Sequence, residues 1–195
     1  WTEAGGITYH PQDGNEKPRM FRADSDRALV NRMGFNNPGA VEARRTLQRT
    51  LDSGNWPRTP LAINIGCSKV AMADNQPEKD YIATLHQLWD FGDMFVINVS
   101  SPNTAGLRDL GESNKLNRLL SSINEFRSNK DIARPVLFKI SPDAEDEKEL
   151  SSILYEDFPP GPKAGPAAPT GSGTAKGWAE HDISVDPSAG ARAPD

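Results

Sequence analysis

Asn98, Ser100, Ser101, Asn103 and Thr104 follow one another out of an apolar run, Phe95-Val96-Ile97-Asn98-Val99. Polar side chains gathered at a strand end can bind a ligand, and each amide offers both a donor and an acceptor. The run is β-branched and aromatic, so it reads as a buried strand. An unpaired buried polar group costs about 1–3 kcal/mol, so Asn98 must have partners there. The pattern recurs twice: Leu61–Ile65 carries Asn64 near its end, and residues 136–140 carry Lys139. Parallel sheets place their chemistry at the C-terminal ends of their strands. Three polar strand ends therefore predict one binding rim.

The elements that must position this rim alternate along the chain. Strands are predicted at Leu61–Ile65, 94–99 and 136–140. A helix is predicted at 77–90, with Tyr81, Leu85, Leu88 and Trp89 on one face, Pro77 at its first position and Gly92 at its exit. A second is predicted at 113–129, with Leu116, Leu119, Leu120, Ile123 and Phe126 inward. A third falls at 145–156, with Leu150, Ile153 and Leu154 inward. An earlier helix is predicted at 38–53, capped by Asn37, with Val41, Leu47 and Leu51 inward. Strand and helix in alternation imply an α/β fold with a parallel sheet, open or closed into a barrel.

Composition narrows the function. The 195 residues are 36% hydrophobic and 25% charged, with a net charge of −5. Without a basic stripe, a nucleic-acid partner is not expected. No run of about 18 apolar residues appears, and no signal peptide is visible at Trp1. The lack of an initiator Met predicts that residues precede Trp1. Cys67 is the single cysteine, so neither an internal disulfide nor a cysteine metal cage is expected. It has no catalytic partner in view and reads as an unreactive thiol. His10, His86 and His181 share no ligand spacing, and no metal is expected. Trp56 and Trp89 read as packing residues. The acidic run 143–149 reads as a solvated helix start. Residues 158–195 lose hydrophobic periodicity and are rich in Pro and Gly, so they read as a disordered tail after a domain at 1–157.

The segment 98–108, Asn-Val-Ser-Ser-Pro-Asn-Thr-Ala-Gly-Leu-Arg, resembles the active-site loop of the dihydroorotate dehydrogenase family, quinone-dependent and membrane-associated class. Companion segments agree in order. Glu3-Ala4-Gly5-Gly6-Ile7-Thr8, Pro11-Gln12-Asp13-Gly14-Asn15 and Pro18-Arg19-Met20-Phe21-Arg22 resemble an early strand and the loop after it. Asn31-Arg32-Met33-Gly34-Phe35-Asn36 resembles the substrate loop. Asn64-Ile65-Gly66 with Lys69 resembles the next strand end, and residues 136–143 resemble the strand bearing a flavin-contacting lysine.

The resemblance implies a (β/α)₈ TIM barrel, of which this chain would supply roughly the first half to two-thirds. It implies FMN as cofactor, oxidation of dihydroorotate to orotate in pyrimidine (UMP) biosynthesis, and a quinone as electron acceptor. It also implies peripheral contact with the inner or cytoplasmic membrane, through a segment that would precede this chain. Ser101 would be the base, where the soluble class has Cys. Asn31, Arg32, Met33, Gly34 and Phe35 would line the dihydroorotate pocket, with Asn98 and Asn103. Gly6, Asn64, Asn98 and Lys139 would contact FMN. Gly6 stands where the family has Ser or Thr, so a hydroxyl is lost there. Cys67 stands where Lys is usual, which reads as neutral variation. The family's Asn-Thr-Thr strand and its Gly-rich, phosphate-holding strand ends have no counterpart in residues 157–195. The expectation is a fragment that binds FMN weakly and turns over little. The second reading, from a different class, is a non-catalytic α/β binding or assembly module derived from the same barrel.

Overall fold

A computed structural model describes residues 1–100 and 113–139, without the side chains of Ser113 and Asn114. The predicted helix at 145–156, the end of the predicted strand at 140, the 157 boundary and the tail lie outside the described residues, as do Ser101 and Asn103.

Among the described residues ten elements follow in order: β1 (Thr2–Ile7), β2 (Met20–Ala23), β3 (Ala28–Asn31), α1 (Ala40–Asp52), β4 (Leu61–Ile65), α2 (Lys69–Ala73), α3 (Pro77–Leu88), β5 (Met94–Asn98), α4 (Ser113–Ser128) and β6 (Val136–Lys139). Four strands make one parallel sheet in the order β1-β4-β5-β6, while β2 and β3 form a separate antiparallel hairpin. The three predicted strands and the helices at α3 and α4 are thus found nearly where their periodicity puts them. The hairpin and the five-residue α2 are additions.

Side chains alternate across a strand, so each strand has a helix face and an opposite face. On the helix face, Leu61, Ile63 and Ile65 of β4 and Phe95, Ile97 and Val99 at β5 pack with Tyr81, Leu85 and Leu88 of α3 and Leu119, Ile123 and Phe126 of α4. Trp89 seals this core. Its ring stacks on Phe95 at 4.9 Å and its Nε1 donates to the Ile132 carbonyl. Trp56 packs at its margin, tilted against Phe91.

Helix α1 corrects two expectations. It buries Ala40 and Ala43 and half-buries Leu47, leaving Val41 and Leu51 exposed. The contact stripe is narrow, so the small residues face the core and the larger apolar ones fall outside it. The helix begins at Ala40 with Gly39 in the capping position and no side-chain cap. Asn37 does not cap it. Its Oδ1 accepts from the Gly39 and Thr8 N–H groups, and its Nδ2 donates to Thr8 Oγ1 and to the Phe35 carbonyl. Asn37 therefore ties the loop before α1 to the end of β1.

Candidate functional site

The register decides where the polar groups go. Gly5 pairs with Asn64, Asn64 with Val96, and Asn98 with Lys139. Asn64, Asn98 and Lys139 are each one residue out of phase with the core positions, so all three sit on the face away from the helices. Glu3 and Gly5 of β1 share that face, in register with Ala62 and Asn64. Among the described residues the three polar strand ends therefore share one wall of the sheet. Leu137, 46% exposed, stands on the same open face.

Asn64 and Asn98 are 6% and 8% exposed. Asn64 Nδ2 donates to Glu3 Oε1 at 2.7 Å, and Asn64 Oδ1 is buried with no hydrogen-bond partner among the described residues. A buried acceptor left open is costly in the free protein and is an invitation to a donor from a ligand. Backbone comes close here. A Cβ at Gly5 would lie 2.2 Å from the Asn64 carbonyl oxygen, which only glycine avoids.

At the other end of the wall, Asn98 Oδ1 accepts from Ser100 N (3.1 Å) and from Ser100 Oγ (3.0 Å). Lys139 Nζ donates to Ser100 Oγ at 2.7 Å. The fully buried Tyr81 donates its hydroxyl to the Asn98 carbonyl at 2.9 Å, reaching through from the helix side. Burial holds that phenol well above its usual range, with Cys67 and Asp80 adding to the effect, so Tyr81 stays a donor.

The predicted substrate loop is built by a separate set of bonds. Gln12 Nε2 donates to the Gly34 carbonyl while its Oε1 accepts from the Lys69 N–H. Lys69 Nζ donates to Asn15 Oδ1, and Asn15 Nδ2 donates to the Arg32 carbonyl. Met33 is half-buried, its carbonyl accepting from Asn15 N–H and its N–H bonded to Asn31 Oδ1. The Arg32 guanidinium is engaged with the Pro18 carbonyl. Gly34 turns the chain at φ 71°, which glycine adopts without penalty. Phe35 follows at φ 52°, and its ring lies over Gly6 and Gly66. A Cβ on Gly6 would sit 2.5 Å from that ring, so the Phe35 side chain fills the space a larger residue would take.

Phe35, Gly6 and Asn64 thus meet at one end, and Asn98 and Lys139 meet at the other. What sequence reading missed is the pairing of Glu3 with Asn64, of Ser100 with Lys139 and of Tyr81 with the Asn98 carbonyl. No local pattern marks these bonds, since Glu3 and Asn64 lie 61 positions apart and Ser100 and Lys139 lie 39 apart.

Cys67 belongs to the core and not to this wall. Burial first, then the carboxylates of Asp80 and Glu78, push its thiol far up from its usual value. Only a thiolate reacts readily. At pH 8, a thiol reagent is expected to modify Cys67 at least ~10-fold more slowly in the folded chain than in the chain unfolded in urea. Equal rates would remove the assignment. His86 packs away from this wall: its ring stands edge-on to Phe126, with burial and Lys130 lowering its proton affinity. Among the described residues no cluster of His, Cys, Asp or Glu could hold a metal.

Comparison with known proteins agrees with this architecture. The family model described as dihydroorotate dehydrogenase matches residues 1–157. A relative from Cyanothece sp. bearing the name dihydroorotate dehydrogenase (quinone) is 47% identical over 156 residues, which is 79% of this chain and 40% of the relative. One from Natronomonas pharaonis with the same name is 48% identical over 157 residues, 80% of this chain and 42% of the relative. The crystal structure of the dihydroorotate dehydrogenase of Eimeria tenella in complex with ferulenol superposes with a TM-score of 0.71 at 30% identity, covering 80% of this chain and 47% of that one. The chain thus spans about 40% of the length of the curated relatives it matches. The parallel sheet, its one-sided helices and this likeness identify the fold as a partial (β/α)₈ barrel. The open face of the sheet corresponds to the barrel interior.

Proposed function

The chain belongs to the dihydroorotate dehydrogenase family, and from that premise we propose that it carries the flavin- and substrate-facing wall of a quinone-dependent dihydroorotate dehydrogenase. That enzyme would oxidise dihydroorotate to orotate in pyrimidine biosynthesis and pass the electrons to a quinone. The observation that carries the reading is the open face of the sheet, where a buried, unpartnered Asn64 Oδ1 stands with Asn98 and Lys139.

FMN fits this donor set, because a flavin ring offers an N–H to an unpaired acceptor and carbonyls to amide and ammonium donors. When bound, FMN supplies the hydride acceptor. The protein's own residues do the rest. Asn64 and Asn98 orient a planar ring by hydrogen bonds. The Lys139 ammonium stabilises negative charge that develops against the wall. Phe35, laid over Gly6 and Gly66, excludes water beside it. Asn31, Arg32, Met33, Gly34 and Asn103 complete the substrate side, and Ser101 takes the proton from the substrate carbon. The quinone places the enzyme at the inner or cytoplasmic membrane as a peripheral protein. Among the described residues no helix is long and apolar enough to cross a membrane.

Titration of the ¹⁵N-labelled 195-residue chain with FMN, and separately with orotate, tests the reading by a probe that registers weak binding. FMN is expected to move the side-chain amide signals of Asn64 and Asn98 and the backbone signal of Lys139. Signals at these three residues that stay fixed at millimolar FMN overturn it.

A further inference from the structure

We infer that Glu3 and Ser100 are positioning residues that lock the two wall amides in opposite orientations, so that Asn64 presents an acceptor and Asn98 presents a donor. This deepens the reading above and rests on it only for the identity of the ligand.

An asparagine amide can be turned by half a rotation at little steric cost, because its oxygen and nitrogen are nearly the same size. What fixes it is a neighbour that can act in only one sense. The Glu3 carboxylate only accepts, so it must receive Asn64 Nδ2. Asn64 Oδ1 is thereby turned away from Glu3, buried and unpartnered, with the absent Cβ of Gly6 pointing to within 3.5 Å of it.

At Asn98 the sense is reversed. The Ser100 backbone N–H only donates, so it must meet Oδ1. The Lys139 ammonium also only donates, so the Ser100 hydroxyl accepts from it and spends its own proton on the same Asn98 Oδ1. The chain of donation therefore runs one way, from Lys139 through Ser100 to Asn98. Among the described residues, both hydrogen bonds of the Asn98 amide fall on its oxygen. Its Nδ2 is the atom left to donate, beside the remaining protons of the Lys139 ammonium.

An acceptor at one end and two kinds of donor at the other complement a planar heterocycle with an imide edge, an N–H flanked by carbonyls. Flavin and orotate share that edge. A ring with the inverse pattern would meet acceptor against acceptor at Asn64 and leave buried groups unpaired, which discriminates by more than a lost contact does.

The test uses the ¹⁵N-labelled 195-residue chain and two pairs of variants. Glu3 is exposed, so its replacement leaves the core alone. Glu3→Ala is expected to move the Asn64 side-chain NH₂ signal and speed its exchange with water, with the Asn98 NH₂ signal in place. Glu3→Asp keeps a group that only accepts and is expected to restore both in part. Ser100→Ala is expected to shift the Asn98 NH₂ and Lys139 signals, with the Asn64 NH₂ signal in place, and Ser100→Thr is expected to restore them. FMN affinity is expected to fall about tenfold in Glu3→Ala and by less in Ser100→Ala, where the Ser100 N–H still holds Asn98 Oδ1, and to recover in each conservative variant. An Asn64 amide indifferent to Glu3→Ala, or alanine variants that neither conservative replacement rescues, overturns the inference. If the unmodified chain ignores FMN while the amide signals respond as stated, the orientation stands and the flavin reading falls.

Discussion

Replacing Asp80 by alanine is expected to lower the unfolding free energy of the chain by about 2–4 kcal/mol, read from its urea midpoint. Asp80 is 3% exposed and sits in the first turn of α3. Its carboxylate receives the Ser68 N–H at 2.9 Å and the Ser68 hydroxyl at 2.7 Å. Hydrogen bonds to a charged group contribute about 1.5–3 kcal/mol, and a buried N–H left without a partner costs about 1–3 kcal/mol more. Ser68 also caps α2, accepting from the Ala71 N–H, so the loss spreads into that short helix. Directly after Ser68 comes Lys69, which holds Gln12 and Asn15, and these two hold the carbonyls of Gly34 and Arg32. Loss of Asp80 is therefore expected to loosen the loop at 31–35, visible as faster amide hydrogen exchange there. Asp80→Asn keeps one acceptor, and the Ser68 hydroxyl can turn to accept from the new amide. It is expected to cost less than half as much. Equal stability of the alanine variant and the parent would show that Ser68 finds another partner.

The Asp80 network also shows where sequence reading stops. The strands β4, β5 and β6 and the helices α3 and α4 are legible because each is long enough to repeat an apolar period, and the buried stripe from Leu116 to Phe126 is the predicted one. The hairpin is not legible. Its Met20, Phe21, Leu29 and Val30 are all exposed, so no alternation of apolar and polar residues marks its strands. Helix α2 has five residues and depends on a single serine cap, too little for a period to emerge. At α1, size misleads: apolar bulk at Val41 and Leu51 suggested the inward face, yet Ala40 and Ala43 make the contact.

The site divides in the same way. That Asn64, Asn98 and Lys139 share a wall follows from strand ends and an alternation of two, both present in the sequence. Which way each amide turns does not follow, because it depends on Glu3, which meets Asn64 from 61 positions away, and on the Lys139–Ser100 bond, whose residues lie 39 positions apart. Tyr81 was legible as a core residue by its helical spacing. Its hydroxyl bond to the Asn98 carbonyl depends on how α3 lies on β5, which no local pattern encodes.

Lys139→Met is the counterpart of the Asp80 substitution, because its effect is expected in binding and not in stability. Lys139 is exposed at the end of β6, so its removal leaves no buried group stranded except the Ser100 hydroxyl. That hydroxyl keeps its bond to Asn98. The urea midpoint is therefore expected to stay within about 0.5 kcal/mol of the parent, as for surface changes in general. The wall, however, loses its only cation on the described open face. A charged hydrogen bond contributes about 1.5–3 kcal/mol, so FMN affinity on the proposed reading is expected to fall roughly 10- to 100-fold. The ¹⁵N titration measures that loss directly. Methionine retains the length and most of the apolar stem, so a change in packing does not account for it. Lys139→Arg keeps the charge but replaces a compact ammonium with a planar fork that cannot be placed on Ser100 in the same way. It is expected to recover only part of the affinity. Unchanged FMN affinity in Lys139→Met would separate Lys139 from the ligand and leave it as a strut for Ser100 and Asn98. A joint fall in stability and affinity would assign it to the sheet edge instead.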